Sequence, residues 1–363
     1  VTPAAAGPSD AGTGTTTAAE SPWDAFVEVS EPGSYVQLEA WARVKAVNGW
    51  TAHRIERPGS IGAQILVRRP SPLPWGFAYA PRGPVATTWD SDTLGAFSEA
   101  VRSELAGSAG RVSHLRIDPE IEADGPRDEG GALRRALRVH GWRPAPPIQP
   151  ASTRVIDLRP DEAALFGELR KKWRQYVNKA RSAGITVVEA EGDRLPEFYA
   201  IYQDTAARAG FLIRTEQAYR DVWEAYRPGG RARLLFAQMP DGTPVASLFL
   251  VRAGPRVVEP YGGMTVAGGD SRANYLLKWE AIRSSREQGA TSYDLWGLAT
   301  GGIAHFKAGF GGREVRYIGA WDLVLDPLGR TVYEGAGKAR VLWARRRHGL
   351  TGSGSASAYG GAE

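Results

Sequence analysis

Apolar residues recur every three positions through Leu38, Trp41, Val44 and Val47, which predicts a helix over residues 37–47 stopped by Gly49. Short β-rich runs follow at 63–69 and 76–80, then a helical period over 91–105, a strand at 112–118 and a helix over 132–140. Past residue 150 the same order returns. The pattern predicts a long helix over 161–182, a strand at 185–188, and helices over 195–210 and 216–226. Strands at 233–238, 244–251 and 256–262, a helix over 273–288 and a strand at 292–296 complete it. Between the two runs, Arg143-Pro144-Ala145-Pro146-Pro147-Ile148-Gln149-Pro150 can continue neither a helix nor a central strand, and marks the domain boundary. Residues 1–21 and 350–363 are small and polar and predict a disordered leader and tail. The expected layout is therefore one domain over 22–150, completed by about 318–349, and a second over 151–317.

The halves share a grammar that suggests diverged copies of an α+β unit. Leu115-Arg116-Ile117-Asp118 ends a strand and a helix then closes in Val139-His140-Gly141-Trp142. Ser292-Tyr293-Asp294-Leu295 ends another, and a short helix closes in Lys307-Ala308-Gly309-Phe310. Length agrees, since 363 residues exceed one ordinary domain.

Composition narrows the chemistry. With 42% hydrophobic and 23% charged residues the chain can bury a core. Zero cysteines exclude disulfides, thiolate metal sites, iron–sulfur clusters and a cysteine nucleophile. His53, His114, His140, His305 and His348 lack metal-ligand spacing, so no metal is expected. No run of about 18 apolar residues and no secretory signal pattern appears, which predicts a soluble, cytoplasmic protein. The net charge of +5 favours polyanionic partners, although an arginine-, alanine- and glycine-rich chain also fits a GC-rich, actinobacterial-looking genome.

The densest motif is Tyr293-Asp294-Leu295-Trp296-Gly297 followed by Gly301-Gly302-Ile303-Ala304-His305-Phe306-Lys307-Ala308-Gly309-Phe310-Gly311-Gly312. It resembles the Fem-type aminoacyltransferases of bacterial peptidoglycan synthesis. Trp41-Ala42-Arg43-Val44-Lys45 with Gly49-Trp50, Tyr79-Ala80-Pro81-Arg82-Gly83-Pro84, and Ile117-Asp118-Pro119 resemble further family motifs, as do Thr205-Ala206-Ala207-Arg208, Phe211, Arg214 and Tyr219. The resemblance spans about 23 to 345, in order. It implies two acyltransferase-like (GNAT-like) domains side by side. Because residues 225–230 lead directly into the next strand, it implies the short FemX type without a coiled-coil arm.

It also implies a reaction: an amino acid, most plausibly glycine, passes from aminoacyl-tRNA to the side-chain amine of a peptidoglycan stem peptide. The acceptor would be UDP-MurNAc-pentapeptide or its lipid-linked form. Such an ester is already activated, so no cofactor is expected beyond the aminoacyl-tRNA co-substrate. The resemblance assigns Lys307 to the oxyanion and leaving oxygen, Phe306 to stacking on the terminal adenosine, and Asp118 to the acceptor amine. Lys45, Arg214, Tyr219 and Tyr261 match positions that hold the acceptor's phosphates and stem peptide, with Arg208 a competitor for the place of Arg214.

Two basic clusters add a surface. Residues 170–181 carry six cations without an acid, among them Lys171, Lys172, Arg174 and Lys179, which suits tRNA phosphates. Lys338, Arg340, Arg345, Arg346, Arg347 and His348 form the second, interleaved with apolar residues, which also fits peripheral contact with the inner membrane face. The competing readings are a tRNA-dependent ligase acting on a secondary-metabolite peptide, a non-catalytic tRNA- or envelope-binding module, and an acyl-CoA acyltransferase. The last lacks the Gln/Arg-x-x-Gly-x-Gly/Ala loop that cradles acetyl-CoA.

Overall fold

The computed structural model describes residues 21–71, 73–107, 111–298 and 302–335. The leader over 1–20, the tail and the basic cluster at 338–348 lie outside them; Ser21, counted with the leader, donates to Glu39 Oε1 at 2.7 Å. The first half runs α1 (Pro22–Val29), α2 (Glu39–Ala46), β1 (Thr51–Arg57), β2 (Ile61–Arg68), β3 (Gly76–Ala80), β4 (Val85–Ala86), α3 (Ser91–Gly107), β5 (Val112–Ile117), α4 (Ala132–Val139) and β6 (Trp142–Ala145). The second runs β7 (Ser152–Asp157), α5 (Glu162–Glu168), α6 (Lys171–Ser182), β8 (Thr186–Ala190), α7 (Leu195–Ala209), α8 (Glu216–Tyr226), β9 (Ala232–Gln238), β10 (Pro244–Ala253) and β11 (Arg256–Met264). It continues through α9 (Val266–Asp270), α10 (Ala273–Glu287), β12 (Ser292–Asp294), α11 (Gly302–Ala308), β13 (Arg313–Arg316) and β14 (Ala320–Val324). No helix among the described residues is long and apolar enough to cross a membrane.

Two mixed sheets form, and six strands of each match in order, β4 and β8 having no counterpart. The first has the order β1-β2-β3-β5-β14-β6, with β4 beside β2; the second reads β8-β9-β10-β11-β12-β7-β13. In each, the only parallel neighbours lie at the middle, β3 with β5 and β11 with β12. Aligning these pairs superimposes β1 on β9, β2 on β10, β14 on β7 and β6 on β13. The two copies therefore exchange their last strands: β7 follows β6 in sequence but pairs in the second sheet, while β14 follows β13 and pairs in the first. Both parts are GNAT-like domains. A single 3₁₀ turn, Arg227–Gly229, carries α8 toward β9, so no helical arm intervenes.

Two expectations need correction. The helix expected over 161–182 is two helices, broken where Leu169 and Arg170 turn extended. Leu165, Leu169, Trp173, Val177 and Ala180 are all buried and spaced by three or four, so the apolar period runs straight through the break. Tertiary contacts impose it: the Arg170 N–H donates to the Gly309 carbonyl at 2.9 Å, and Arg174 caps the end of α5 by donating to the Gly167 and Leu169 carbonyls. The second correction is that the proline cluster begins inside a strand. Arg143, Pro144 and Ala145 pair with β14 as an edge strand, where a missing N–H is tolerated on the open side.

Candidate active site

A cavity opens between the halves, with about 760 Å³ of space between its walls, part of it open to solvent. From the first half, α2 contributes Trp41 and Lys45, and β3 contributes Tyr79. The second half contributes Arg214 from the turn before α8, Tyr219 from α8, Tyr261 from β11, and Trp296 from the turn after β12. Arg43 on α2 donates to the Ala225 carbonyl, and Tyr226 on α8 to the Tyr35 carbonyl at 2.6 Å, which fixes the two helical walls against each other.

Lys45 and Arg214 flank one indole, with Lys45 Nζ 5.3 Å and the Arg214 guanidinium 6.0 Å from the Trp41 ring. Among the described residues no carboxylate lines the cavity, so the charge of its lining is that of a Lys/Arg pair set in aromatic walls. Trp41 Nε1 and Trp50 Nε1, on two of its lining residues, are buried without a hydrogen-bond partner. A site with two cations, no acid and unsatisfied donors nearby selects an anion.

Tyr219 acts on the wall itself. Its hydroxyl accepts the Arg214 N–H at 3.1 Å, and burial holds its phenol well above the ordinary range. Its ring packs edge-on against Tyr261 at 5.0 Å. Tyr219 thus positions Arg214. The competition between Arg208 and Arg214 resolves on geometry, because Arg208 pairs with Asp204 and donates to the Met264 carbonyl, away from the lining.

Asp118 and Lys307 stand behind the cavity. Asp118 is buried and accepts the Tyr79 hydroxyl at 2.7 Å, the Arg82 N–H at 2.6 Å and the Gln149 N–H at 3.3 Å, so it reaches the cavity through Tyr79 and Gln149, which both line it. Lys307 Nζ donates to the carbonyls of Trp296 and Gly297, in a turn where Trp296 takes a left-handed backbone (φ 47°). The Trp296 ring packs on Tyr35 at 5.5 Å and under the Arg82 guanidinium at 5.1 Å, and so forms part of the cavity wall. Burial, then the charge of Lys278, lowers the Lys307 ammonium to about 8. Phe306 is half-buried, edge-on to Phe310 and Tyr275 at 5.1 Å each. Gly309 is required beside it, since a Cβ there would stand 2.2 Å from Trp173 Nε1.

Residues 167–308 match the family model for an acetyltransferase (GNAT) domain. The lipid II:glycine glycyltransferase of Staphylococcus saprophyticus is 24% identical over 379 residues, covering 84% of this chain and 91% of that protein. That of Staphylococcus aureus is 23% identical over 384 residues, with the same coverage. The crystal structure of FemX superimposes with a TM-score of 0.77 at 21% identity, over 86% of this chain and 96% of that one. The chain is similar in sequence to these glycyltransferases, and its fold is that of FemX. A more distant likeness, L-PGS from Bacillus licheniformis, has a TM-score of 0.52 at 11% identity.

Sequence reasoning missed the residues that join the halves. Arg256 on β11 donates to Glu120 of the first half and to Asp294 of the second. Asp294 also accepts the Thr153 hydroxyl and the Trp296 N–H, so this network sets the turn that carries Trp296. An arginine inside a strand pattern gives no sign that it bridges two buried carboxylates.

Asp118 supplies a pH test. Burial raises its carboxyl from 3.8 to about 6, against the pull of Arg82 and three hydrogen bonds. A raised folded value means that the stabilisation is complete below about 3.8 and is lost as pH rises through about 6. The stability difference between wild type and Asp118→Asn is expected to grow by roughly 2 kcal/mol in favour of wild type as pH falls from 7 to 4. Urea melts across that range measure it, and a flat difference would contradict the assignment.

Proposed function

We propose that the protein forms a peptide bond between glycine, carried as its tRNA ester, and the side-chain amine of a peptidoglycan stem peptide on a lipid-linked precursor. The carrying observation is the inter-domain cavity in which Lys45 and Arg214 face an interior without a carboxylate. A pyrophosphate suits that pair: the guanidinium offers a planar fork and the ammonium a point charge. Tyr261, Trp296 and Tyr79 then wall the peptide portion. The lipid II:glycine glycyltransferase activity of the staphylococcal relatives supports glycine and lipid II as donor residue and acceptor.

Because the ester is activated, the protein's contribution is positioning and charge stabilisation. Tyr79, held by Asp118, orients the acceptor side, and the Lys307 cation stabilises the oxyanion from the donor side. The reaction takes place at the cytoplasmic face of the membrane, where the lipid-linked acceptor resides. The test is transfer of label from purified glycyl-, alanyl- and seryl-tRNA to lipid-linked or UDP-linked pentapeptide. Lys45→Ala and Arg214→Ala should each raise the acceptor KM about tenfold or more, with a smaller change in kcat. Absence of transfer to both acceptors, or an unchanged KM in both variants, overturns the proposal.

A further inference from the structure

Three buried polar side chains of the second half take no part in the site described so far. Glu259 on β11 and Lys278 on α10, 7% and 4% exposed, form an ion pair. The fully buried Tyr293 on β12 donates to the other Glu259 oxygen, Oε2, at 2.7 Å. Burial strips such a pair of its hydration, and uncharged residues of the same volume would hold the core as well or better. Its place in the fold gives it another task.

Strands β11 and β12 pair over Arg256–Val258 and Ser292–Asp294, and Glu259 is the first β11 residue past the last pair. There β11 carries an extra residue, since Phe249 of β10 faces Tyr261 while Val251 faces Val258. In an unbroken strand Glu259 and Tyr261 would share a face. The bulge divides them, so that Tyr261 lines the cavity while Glu259 meets Lys278 of α10. Lys278 Nζ in turn lies 5.6 Å from the Phe306 ring, and the pair thereby abuts the corner of α11 that carries Lys307. The charges that reach Lys307 come from three elements: Lys278 on α10, Glu259 on β11 and Asp294 on β12. Asp294 is committed to Arg256, and on α11 itself His305 turns to Arg170. Of the three, Lys278 acts most strongly and opposes the ammonium, whereas Glu259 favours it.

We propose that Glu259 and Lys278 are positioning residues that govern the charge of Lys307, with Glu259 holding Lys278 against the α11 corner and offsetting part of its charge. The proposal rests on the aminoacyl transfer proposed for this site, in which Lys307 acts as a cation at the donor end.

The test follows the transfer rate against pH, which in wild type should level off near pH 8 as Lys307 loses its proton. Lys278→Gln removes the cation and keeps a donor for Glu259, so the Lys307 ammonium persists and the levelling should move up by about half a pH unit or more. Lys278→Met, which fills the stem volume instead, should repeat that shift. Glu259→Gln keeps the shape and frees Lys278 from its counter-charge, and the levelling should move down by about as much. Loosened packing alone would lower kcat in these variants without moving their profiles in opposite directions. Profiles of the Lys278 and Glu259 variants that do not part therefore overturn the proposal. Trace acetylation of Lys307 by acetic anhydride, quantified by mass spectrometry as pH is raised, titrates the same amine with no substrate present. Transfer by wild type with profiles that do not part overturns the positioning role and leaves the transferase standing. Acetylation profiles that part, in a protein that transfers nothing, support the positioning role and overturn the transferase.

Discussion

Arg256→Met is expected to lower the melting temperature by about 6–15 °C, from the loss of ~3–5 kcal/mol that follows removal of one partner from a buried charge network. Asp294 is fully buried and, among the described residues, loses its only ion-pair partner, while Glu120 keeps Arg82, at 3.2 Å. Methionine fills most of the volume, so the effect reports stranded charge rather than a cavity. The topology amplifies it. Because each half contributes a strand to the other's sheet, the halves cannot open separately without breaking β7 or β14 out of a ladder, and the transition should remain single. Arg159→Met is the control: Arg159 and Asp157 pair at 2.8 Å in open solvent, and the melting temperature should stay within about 1 °C of wild type. Equal melting temperatures for the two variants would contradict the account of Arg256. Transfer activity should fall with Arg256→Met as well, since Asp294 sets the Trp296 turn.

How much of this was legible in the sequence follows from what a linear pattern can encode. Helix α8 and strand β3 match their apolar periods residue for residue, because each presents one face to a core and is bounded by turn residues. The break at Leu169–Arg170 was invisible because the buried positions keep step across it. The strand exchange was hidden for a different reason. Ser152–Asp157 and Ala320–Val324 are short and satisfy either sheet by pattern, and only the parallel pairs at each centre decide which gap they fill. Within the site, Lys45, Arg214, Tyr219 and Tyr261 came from motif resemblance, and the fold gathers them in one cavity. Arg256 carried no local sign of its surroundings, because its role arises from a contact across 136 residues of chain.

Lys307→Ala is expected to reduce kcat by about 10²–10³-fold, the scale of removing one preorganised donor from a developing oxyanion. The pH profile distinguishes this from a merely structural loss. The ammonium, lowered to about 8 by burial and by Lys278, loses its proton as pH rises through that value, so a rate that depends on the cation must decline there. The acceptor amine acts in the opposite sense, since it must be deprotonated to attack. With an acceptor amine of ordinary pKa, ~10, the gain in free amine and the loss of the ammonium offset above pH 8. The wild-type rate should therefore climb and level off near pH 8, whereas the residual rate of Lys307→Ala should keep climbing through it. Lys307 also fastens the carbonyls of Trp296 and Gly297, so the variant loosens the cavity wall and should raise the acceptor KM. If the levelling near pH 8 persists in Lys307→Ala while KM alone rises, the lysine is a clamp on the Trp296 turn. The oxyanion must then be met by another group on the donor side. If both kcat and the levelling are lost, one ammonium does both: it holds the wall at rest and meets the developing charge when the ester is attacked.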